Sequence, residues 1–543
     1  MKASENIVVT PSAYEYPLLI KQLLHTALAI APDQEIVYAD KSRYTYRDFH
    51  GRLQAFGRLI ERLGLEGETI AVMDWDSHRY LEAFFAVPMT GSVLQTVNIR
   101  LSPDQILYTL NHAKARALFI NAEFLPVLDA IRDKLETVKT FVLLSDALPK
   151  VPDSFAGEYE ALLAANAGRF EFPDFDERTR ATTFYTTGTT GLPKGVYFSH
   201  RQLVLHTLSL LSLFGMAPRQ GGLDRDDVYM PLTPMFHVHA WGFPYAATMA
   251  GMKQVYPGRY LPDAILGLIA KEKVTFSHCV PTIMHMLLGS PAAANADLKG
   301  WKVIIGGSAL PTAMIKAAMA RGIDIFTGYG MSETCPVLTI AHVDSADLDG
   351  DTVALRAKTG RPNLLVDLRV VTPEMTDCPH DGTSVGEVVV RAPWTTMGYL
   401  DNAVASESLW QGGWLHTQDI GHIDERGYLQ VTDRIKDVIK TGGEWVSSLE
   451  IEDVIGRHPA VAEVAVIGVK DDKWGERPLA LIVLKPDQAG KTSAEDIQAH
   501  VRQYAEQGHL SKFGVPDQVR FVDSLARTSV GKLNKRAMRE QFS

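Results

Sequence analysis

The sequence predicts a mixed α/β fold: a large N-terminal domain of parallel-rich sheets with flanking helices and a β-subdomain, then a small α/β domain. Three observations carry this. Helix-period and strand-period segments alternate through the first part of the chain. From roughly Thr359 strands follow one another across glycine turns. After Asp433 the alternation resumes on a smaller scale.

Taken in order, "TYRDFHGRLQAFGRLIERLG" has apolar residues at helical spacing and stops on Gly64, and "TIAVMDWD" reads as a buried strand. "HRYLEAFFAVPMTGSVLQTVN" is a helix followed by a strand, and "ALFINA" is a further strand. "KVTFSHCVP", "WKVIIGGS" and "DIFTGYG" are each a strand running into a turn, three of them predicting a largely parallel sheet that collects ligands at its strand ends. "LVDLRVV", "GEVVVRA" and "GYLQVTD" alternate as antiparallel strands do. "SLEIEDVIGRHPAV", "EVAVIGVKD", "PLALIVLK", "AEDIQAHVRQYAEQ" and "QVRFVDSL" then form a unit of independent size. The predicted division is 1–433, a linker 434–437, and 438–543.

The bulk numbers narrow the class. At 543 residues the chain exceeds one compact core. A net charge of -10 argues against non-specific nucleic-acid binding, which rests on clustered positive charge. The 3 cysteines show neither metal spacing nor a disulfide framework. The early apolar run is broken by Lys21 and His25 and lacks a cleavage site, and no run is long enough to cross a bilayer. A soluble, cytoplasmic protein without a transmembrane segment is expected.

The stretch "TTGTTGLPKG", Thr186 to Gly195, follows a strand and is built of hydroxyls, glycines and Lys194. It lacks the two framing glycines and Lys-Ser/Thr of an NTPase phosphate loop, as do "AGKTS" and "VGKLN" further on. Hydroxyl donors, backbone N–H groups bared by glycine and one ammonium suit a triphosphate tail. A flexible Thr/Gly linker has the same composition, so both readings stand on the loop alone.

"YTTGTTGLPKGV" resembles the phosphate motif of the adenylate-forming superfamily, which includes acyl-CoA synthetases, peptide-synthetase adenylation domains and firefly-type luciferases. Four more stretches match in that family's order: "GYGMSET", "GWLHTQDIG", "DRIKDVIKTGGEWVSSLEIE" and "RTSVGKLNKRAMRE". The closest general likeness is to stand-alone fatty-acyl-CoA ligases. The resemblance implies two steps: a carboxylate attacks the α-phosphate of ATP and expels pyrophosphate, then the thiol of coenzyme A attacks the acyl adenylate and expels AMP. It also implies that the small domain swings between the steps about Lys436.

Residue roles follow from the resemblance. Lys532 would neutralise carboxylate and phosphate, a contact at ~4 Å and effective dielectric ~20 being worth roughly 4 kcal/mol, or three powers of ten. Glu333, with Thr186, would hold Mg²⁺. Thr186, Thr187, Gly188, Thr189, Thr190 and Lys194 would bind phosphates, and Ser332 would add a hydroxyl. Gly307, Ser308, Ala309, Gly328, Tyr329, Gly330 and Met331 would frame the adenine. Asp419 would accept the ribose hydroxyls and Arg434 would reach the nucleotide. Gln418 stands where the family more usually has glycine.

His237, Val238, Trp241 and Gly306 would border the acyl group, with His237 gating the thiol site. Trp241 as pocket wall and as core tryptophan are open alternatives, as are adenine stacking and core packing for Tyr329. Lys440, Gly442, Gly443, Glu444 and Trp445 would line the thiol tunnel, although a plain β-turn explains the two glycines equally well. No carboxylate occurs in "PMFHVHAWGFPYAA", so an uncharged acyl tail is favoured over an amino acid, whose ammonium would be buried unpaired. The expected activity is ATP-dependent ligation of a medium- or long-chain fatty acid to coenzyme A. The alternatives are a short-acid ligase, for instance one for 3-methylmercaptopropionate, and an adenylation module that loads a carrier protein. Homodimerisation is common among similar ligases and is left open.

Overall fold

The computed structural model describes residues 7–147, 150–186, 192–217, 219–441, 444–471, 473–488, 490–507, 510–528 and 532–542, with the side chains of Glu444 and Trp445 excepted. Among these residues the chain forms four sheets.

The seven-stranded sheet runs, in spatial order, Gly157–Glu158, Thr140–Leu144, Ala115–Asn121, Thr69–Met73, Val93–Thr96, Arg180–Thr186 and Lys194–Ser199. Only its last pair is antiparallel, with Thr186 opposite Lys194. A nine-stranded sheet holds the parallel neighbours Val228–Leu232, Phe276–Cys279, Lys302–Ile305 and Asp324–Gly330, and turns antiparallel at both edges. These strands read as continuous apolar runs because helices cover both faces.

Between the two sheets lies the helix His78–Met89, buried along its whole length, its polar residues Arg79 and Glu82 being paired with Asp74 and Arg52. Tyr46–Arg62 opens on a capping box in which Thr45 and Asp48 satisfy each other's backbone N–H groups. With His200–Gly215 and Phe243–Ala250 these helices form one apolar core that includes residues of both sheets, such as Val72 and Tyr256. The sheets are therefore fixed relative to each other, and so are the loops at their strand ends.

Strands Asp367–Val371, Gly386–Arg391, Leu415–Ile423 and Leu429–Arg434 make an antiparallel sheet. From Ile439 onward a five-stranded sheet with the helices Ser448–Gly456 and Ala494–Glu506 encloses its own core around Ile451, Val466, Ile482 and Val501. Residues 435–438 belong to neither sheet. No helix among the described residues is long and apolar enough to cross a membrane.

Candidate active site

A cavity of about 140 Å³ opens where the parallel strands Lys302–Ile305 and Asp324–Gly330 end, and Gly306, Gly307, Tyr329, Trp241, His237 and Lys532 are among its walls. Lys532 comes from the C-terminal unit. A Cβ on Gly307, where φ is +82°, would lie 2.8 Å from the Lys532 Cε, so glycine here makes room for the lysine stem. Burial first, and then the Arg434 charge, hold the Lys532 ammonium down to about 8.

On the nucleotide side the Tyr329 hydroxyl donates to Asp419 Oδ2 at 2.7 Å, and Arg434 Nε lies 3.2 Å from Asp419 Oδ1. A carboxylate offers about four acceptor directions, so a buried Asp419 fixed by two partners still has lone pairs for vicinal hydroxyls. Gln418 takes φ +59°, the left-handed region that glycine would enter freely. It is pinned there by its N–H donating to Glu387 at 3.1 Å and its carbonyl accepting from Ile435 at 3.0 Å. The departure from the family's glycine therefore costs local strain and leaves Asp419 in place.

Glu333 is buried, and burial raises its carboxyl above the ordinary range despite the Tyr399 hydroxyl donated to it at 2.7 Å. Among the described residues it forms no ion pair within 4 Å. The Lys194 ammonium sits 4.7 Å from the Tyr399 ring centre, so Tyr399 links the base of the Thr/Gly loop to Glu333.

The acyl side is bounded by one turn of left-handed helix. Val238, His239, Ala240 and Trp241 have φ of 47°, 53°, 47° and 58°, and Gly242 follows at 77°. Each non-glycine residue in this region costs roughly 1–2 kcal/mol. The turn persists because His239 is fully buried among the rings of Phe84, Phe184, Phe198 and Tyr245, centroids 5.3 to 6.2 Å away. It aims Val238 and Trp241 into the cavity, and Trp241 closes on Gly306, whose Cβ would meet the indole at 2.8 Å. Burial, with the Lys532 and Arg100 charges, pushes His237 down to about 3, so its ring is neutral at physiological pH.

The family model described as AMP-binding enzyme matches residues 24–400, and the one for the AMP-binding enzyme C-terminal domain matches 450–532. The chain belongs to the AMP-binding enzyme family. This AMP-binding enzyme is 39% identical over 531 residues to the long-chain-fatty-acid–CoA ligase of Thermus thermophilus, covering 96% of this chain and 94% of that protein. It is 38% identical to the 3-methylmercaptopropionyl-CoA ligase of Ruegeria lacuscaerulensis, with 97% of each chain covered. The crystal structure of the anthranilate CoA ligase AuaEII in complex with anthranoyl-AMP superposes with a TM-score of 0.84 at 25% identity, covering 97% of this chain and 98% of that one.

In this AMP-binding enzyme one cavity brings together His237, Val238, Trp241, Gly306, Gly307, Gly328, Tyr329, Gly330, Met331, Ser332 and Lys532. Asp419 and Arg434 adjoin it through Tyr329, Glu333 follows the lining residue Ser332 in the chain, and Tyr399 joins Glu333 to Lys194. Ser308 and Ala309 sit exposed beside it. Lys436 and Lys440 are exposed, and no described residue from Ile439 to Val446 lines the cavity. Thr187, Gly188, Thr189, Thr190, Gly442 and Gly443, and the side chains of Glu444 and Trp445, lie outside the described residues. Thr186 and Lys194 face each other as the last paired residues before the loop.

Sequence reasoning missed Arg100, Tyr260 and Thr282 in the cavity wall and Tyr399 beside Glu333. Arg100 carried a signal, since it follows the end of strand Val93–Thr96. Tyr399 carried none. No Asp or Glu lines the cavity among the described residues.

Proposed function

We propose that this AMP-forming acid–thiol ligase joins an uncharged carboxylic acid of the fatty-acid class to coenzyme A through an acyl adenylate. The observation that carries the reading is Lys532 beside Gly307, in the cavity shared by Tyr329 and Trp241. The acid's carboxylate and the α-phosphate are both anions, so bringing them together requires a cation between them. Lys532 supplies it. Asp419 orients the ribose and Tyr329 offers its ring to adenine, while the apolar wall at Trp241 excludes water.

Mg²⁺, when bound with ATP, supplies further neutralisation of the phosphates. A buried carboxyl that forms no ion pair within 4 Å among the described residues fits such an ion, which takes one or two carboxylates and completes its shell with phosphate and water, and Glu333 with Thr186 would hold it. For the second step the small domain swings about Lys436, withdrawing Lys532 and bringing in the hairpin Ile439–Thr441/Glu444–Val446. The neutral His237 then borders the path of the thiol.

Cavity size bears on the acid. The cavity of about 140 Å³ is shared by Gly328 to Ser332 and by Trp241. A dry cavity of ~150 Å³ takes a molecule the size of benzene, and the part beside Trp241 is smaller than the whole, which favours a short acid over a long tail. The short-acid reading thus has an observation of its own. Long acids need Trp241 displaced. Trp241→Ala is accordingly expected to raise kcat/KM for octanoate relative to butanoate at least ~10-fold, measured across a series of straight-chain acids.

Incubation with ATP, Mg²⁺, coenzyme A and acids of graded length tests the reaction. AMP, pyrophosphate and thioester are the expected products, and ADP or an adenylate that never reaches thioester overturns the ligase reading. The pH profile is a separate check. Lys532 acts as the ammonium, and in the free protein that ammonium is lost as pH rises through about 8. The kcat/KM of adenylate formation should therefore fall on the alkaline side of that value, with no matching limb in the thioester step.

A further inference from the structure

The loop that carries Lys532 is closed on itself. Arg527 and Leu533 form a bridge, the Thr528 N–H donates to the Lys532 carbonyl at 2.7 Å, and the Lys532 N–H donates to Thr528 Oγ1 at 3.2 Å. Its position in the cavity therefore depends on what holds the loop as a whole. Arg527 Nη1 donates to Thr282 Oγ1 at 2.8 Å, while Nη2 lies 2.8 Å from Glu463 Oε2 on the neighbouring strand Val461–Asp471.

Thr282 is the second residue of the helix Pro281–Gly289, and with Val280 and Ile283 it forms one wall of the cavity. Val280 Cγ1 lies 3.3 Å from the point where a Gly307 Cβ would stand, and the Lys532 Cε lies 2.8 Å from the same point. Lys532 and Arg527 thus grip the Val280–Thr282 corner from two sides. The Arg527–Glu463 pair is about one-third exposed, and an exposed pair adds little to stability. The guanidinium is poorly placed to be a folding element. It is well placed to set register between the two units.

We infer that Arg527 is a positioning residue for adenylate formation: docked on Thr282, it registers the Lys532 loop against the wall of the acyl pocket. The assignment rests on the ligase reading above. It separates the half-reactions, because the contact joins the small domain to the large one only while Lys532 is in the cavity. A swing that withdraws Lys532 must break it, so the thioester step proceeds without it.

The test compares Arg527→Ala, Arg527→Lys, Thr282→Val and the Arg527→Ala/Thr282→Val double variant in each half-reaction, with thermal midpoints recorded alongside. A hydrogen bond to a charged group implies a loss of about 10- to 100-fold in kcat of adenylation for Arg527→Ala and for Thr282→Val. Thioester formation from supplied acyl adenylate should stay within about 3-fold of the parent, and Arg527→Lys should recover part of the loss. The double variant should be no worse than the poorer single, since the Arg527–Thr282 contact is lost in either one.

Normal adenylation in Arg527→Ala overturns the assignment. So do additive losses, or equal slowing of both half-reactions with a lowered thermal midpoint. A parent protein that forms no adenylate from any acid defeats the ligase reading itself, which is a different result from a parent that works and a variant that works equally well.

Discussion

Lys532→Ala is expected to slow adenylate formation by about a thousandfold, while thioester formation from supplied acyl adenylate changes only a few-fold. The first figure follows from one charge contact of roughly 4 kcal/mol at ~4 Å in a half-screened site. The lysine enters a cavity whose lining includes His237, held neutral, and no carboxylate among the described residues. Arg434 is nearby, but Asp419 engages its guanidinium at 3.2 Å and is the main reason that its charge is reinforced. No second lysine lines the cavity among the described residues, and the other cation in its wall is the Arg100 guanidinium, so substitution removes the only ammonium placed beside Gly307 among those residues. In the second step the leaving group is AMP, already stabilised as a phosphate monoester, and the incoming thiol meets a carbonyl and not an anion. Single-turnover assays of the two steps separate the predictions. Equal losses in both would mean that Lys532 serves the fold or both reactions alike.

Gly330→Ala is expected to lower kcat/KM for ATP by about 100-fold and the thermal midpoint by several degrees. A Cβ at this position would stand 1.6 Å from the Pro336 carbonyl oxygen, so either the strand end or the following turn must move. The strand Asp324–Gly330 carries Tyr329, whose hydroxyl donates to Asp419, the residue proposed to orient the ribose. Displacement by even an ångström separates that pair. Gly427→Ala makes the control. Its φ is +78° but nothing lies within 4 Å of the added carbon, so it costs about 1 kcal/mol of backbone strain and leaves ATP kinetics alone. Steady-state ATP titrations and melting curves on both variants decide it.

The buried parallel strands were legible because each is a short apolar run, and Lys302–Ile305 runs directly into Gly306 and Gly307. Thr69–Met73, Lys302–Ile305 and Asp324–Gly330 all fall inside the segments that predict them. The helix Tyr46–Arg62 was legible from its spacing and its stop at Gly64, which takes φ +63°. Of the site, the nucleotide side is written in contiguous motifs, so Tyr329, Glu333, Asp419 and Lys532 can be named from residue order alone. Tyr399, Tyr260 and Thr282 cannot, and Arg100 had only its place past the end of strand Val93–Thr96 as a signal. Each reaches the site from a separate part of the chain, and an isolated tyrosine or threonine has no local pattern that distinguishes a cavity wall from ordinary packing.

The left-handed turn at Val238–Gly242 lies furthest from any sequence rule. Valine, histidine, alanine and tryptophan all disfavour that conformation, and local preference would have made the segment extended or right-handed. Packing of His239 among four rings overrides it.

Periodicity carried the fold class, and the resemblance of contiguous motifs to the adenylate-forming superfamily carried the chemistry and pointed to Lys532 as the lysine proposed to serve it. Only the tertiary structure showed that Trp241 closes on Gly306 in the cavity wall and that Arg527 docks on Thr282. Those depend on where Trp241, Gly306, Thr282 and Arg527 meet, and contacts between residues tens to hundreds of positions apart are fixed by the packing of whole sheets and domains.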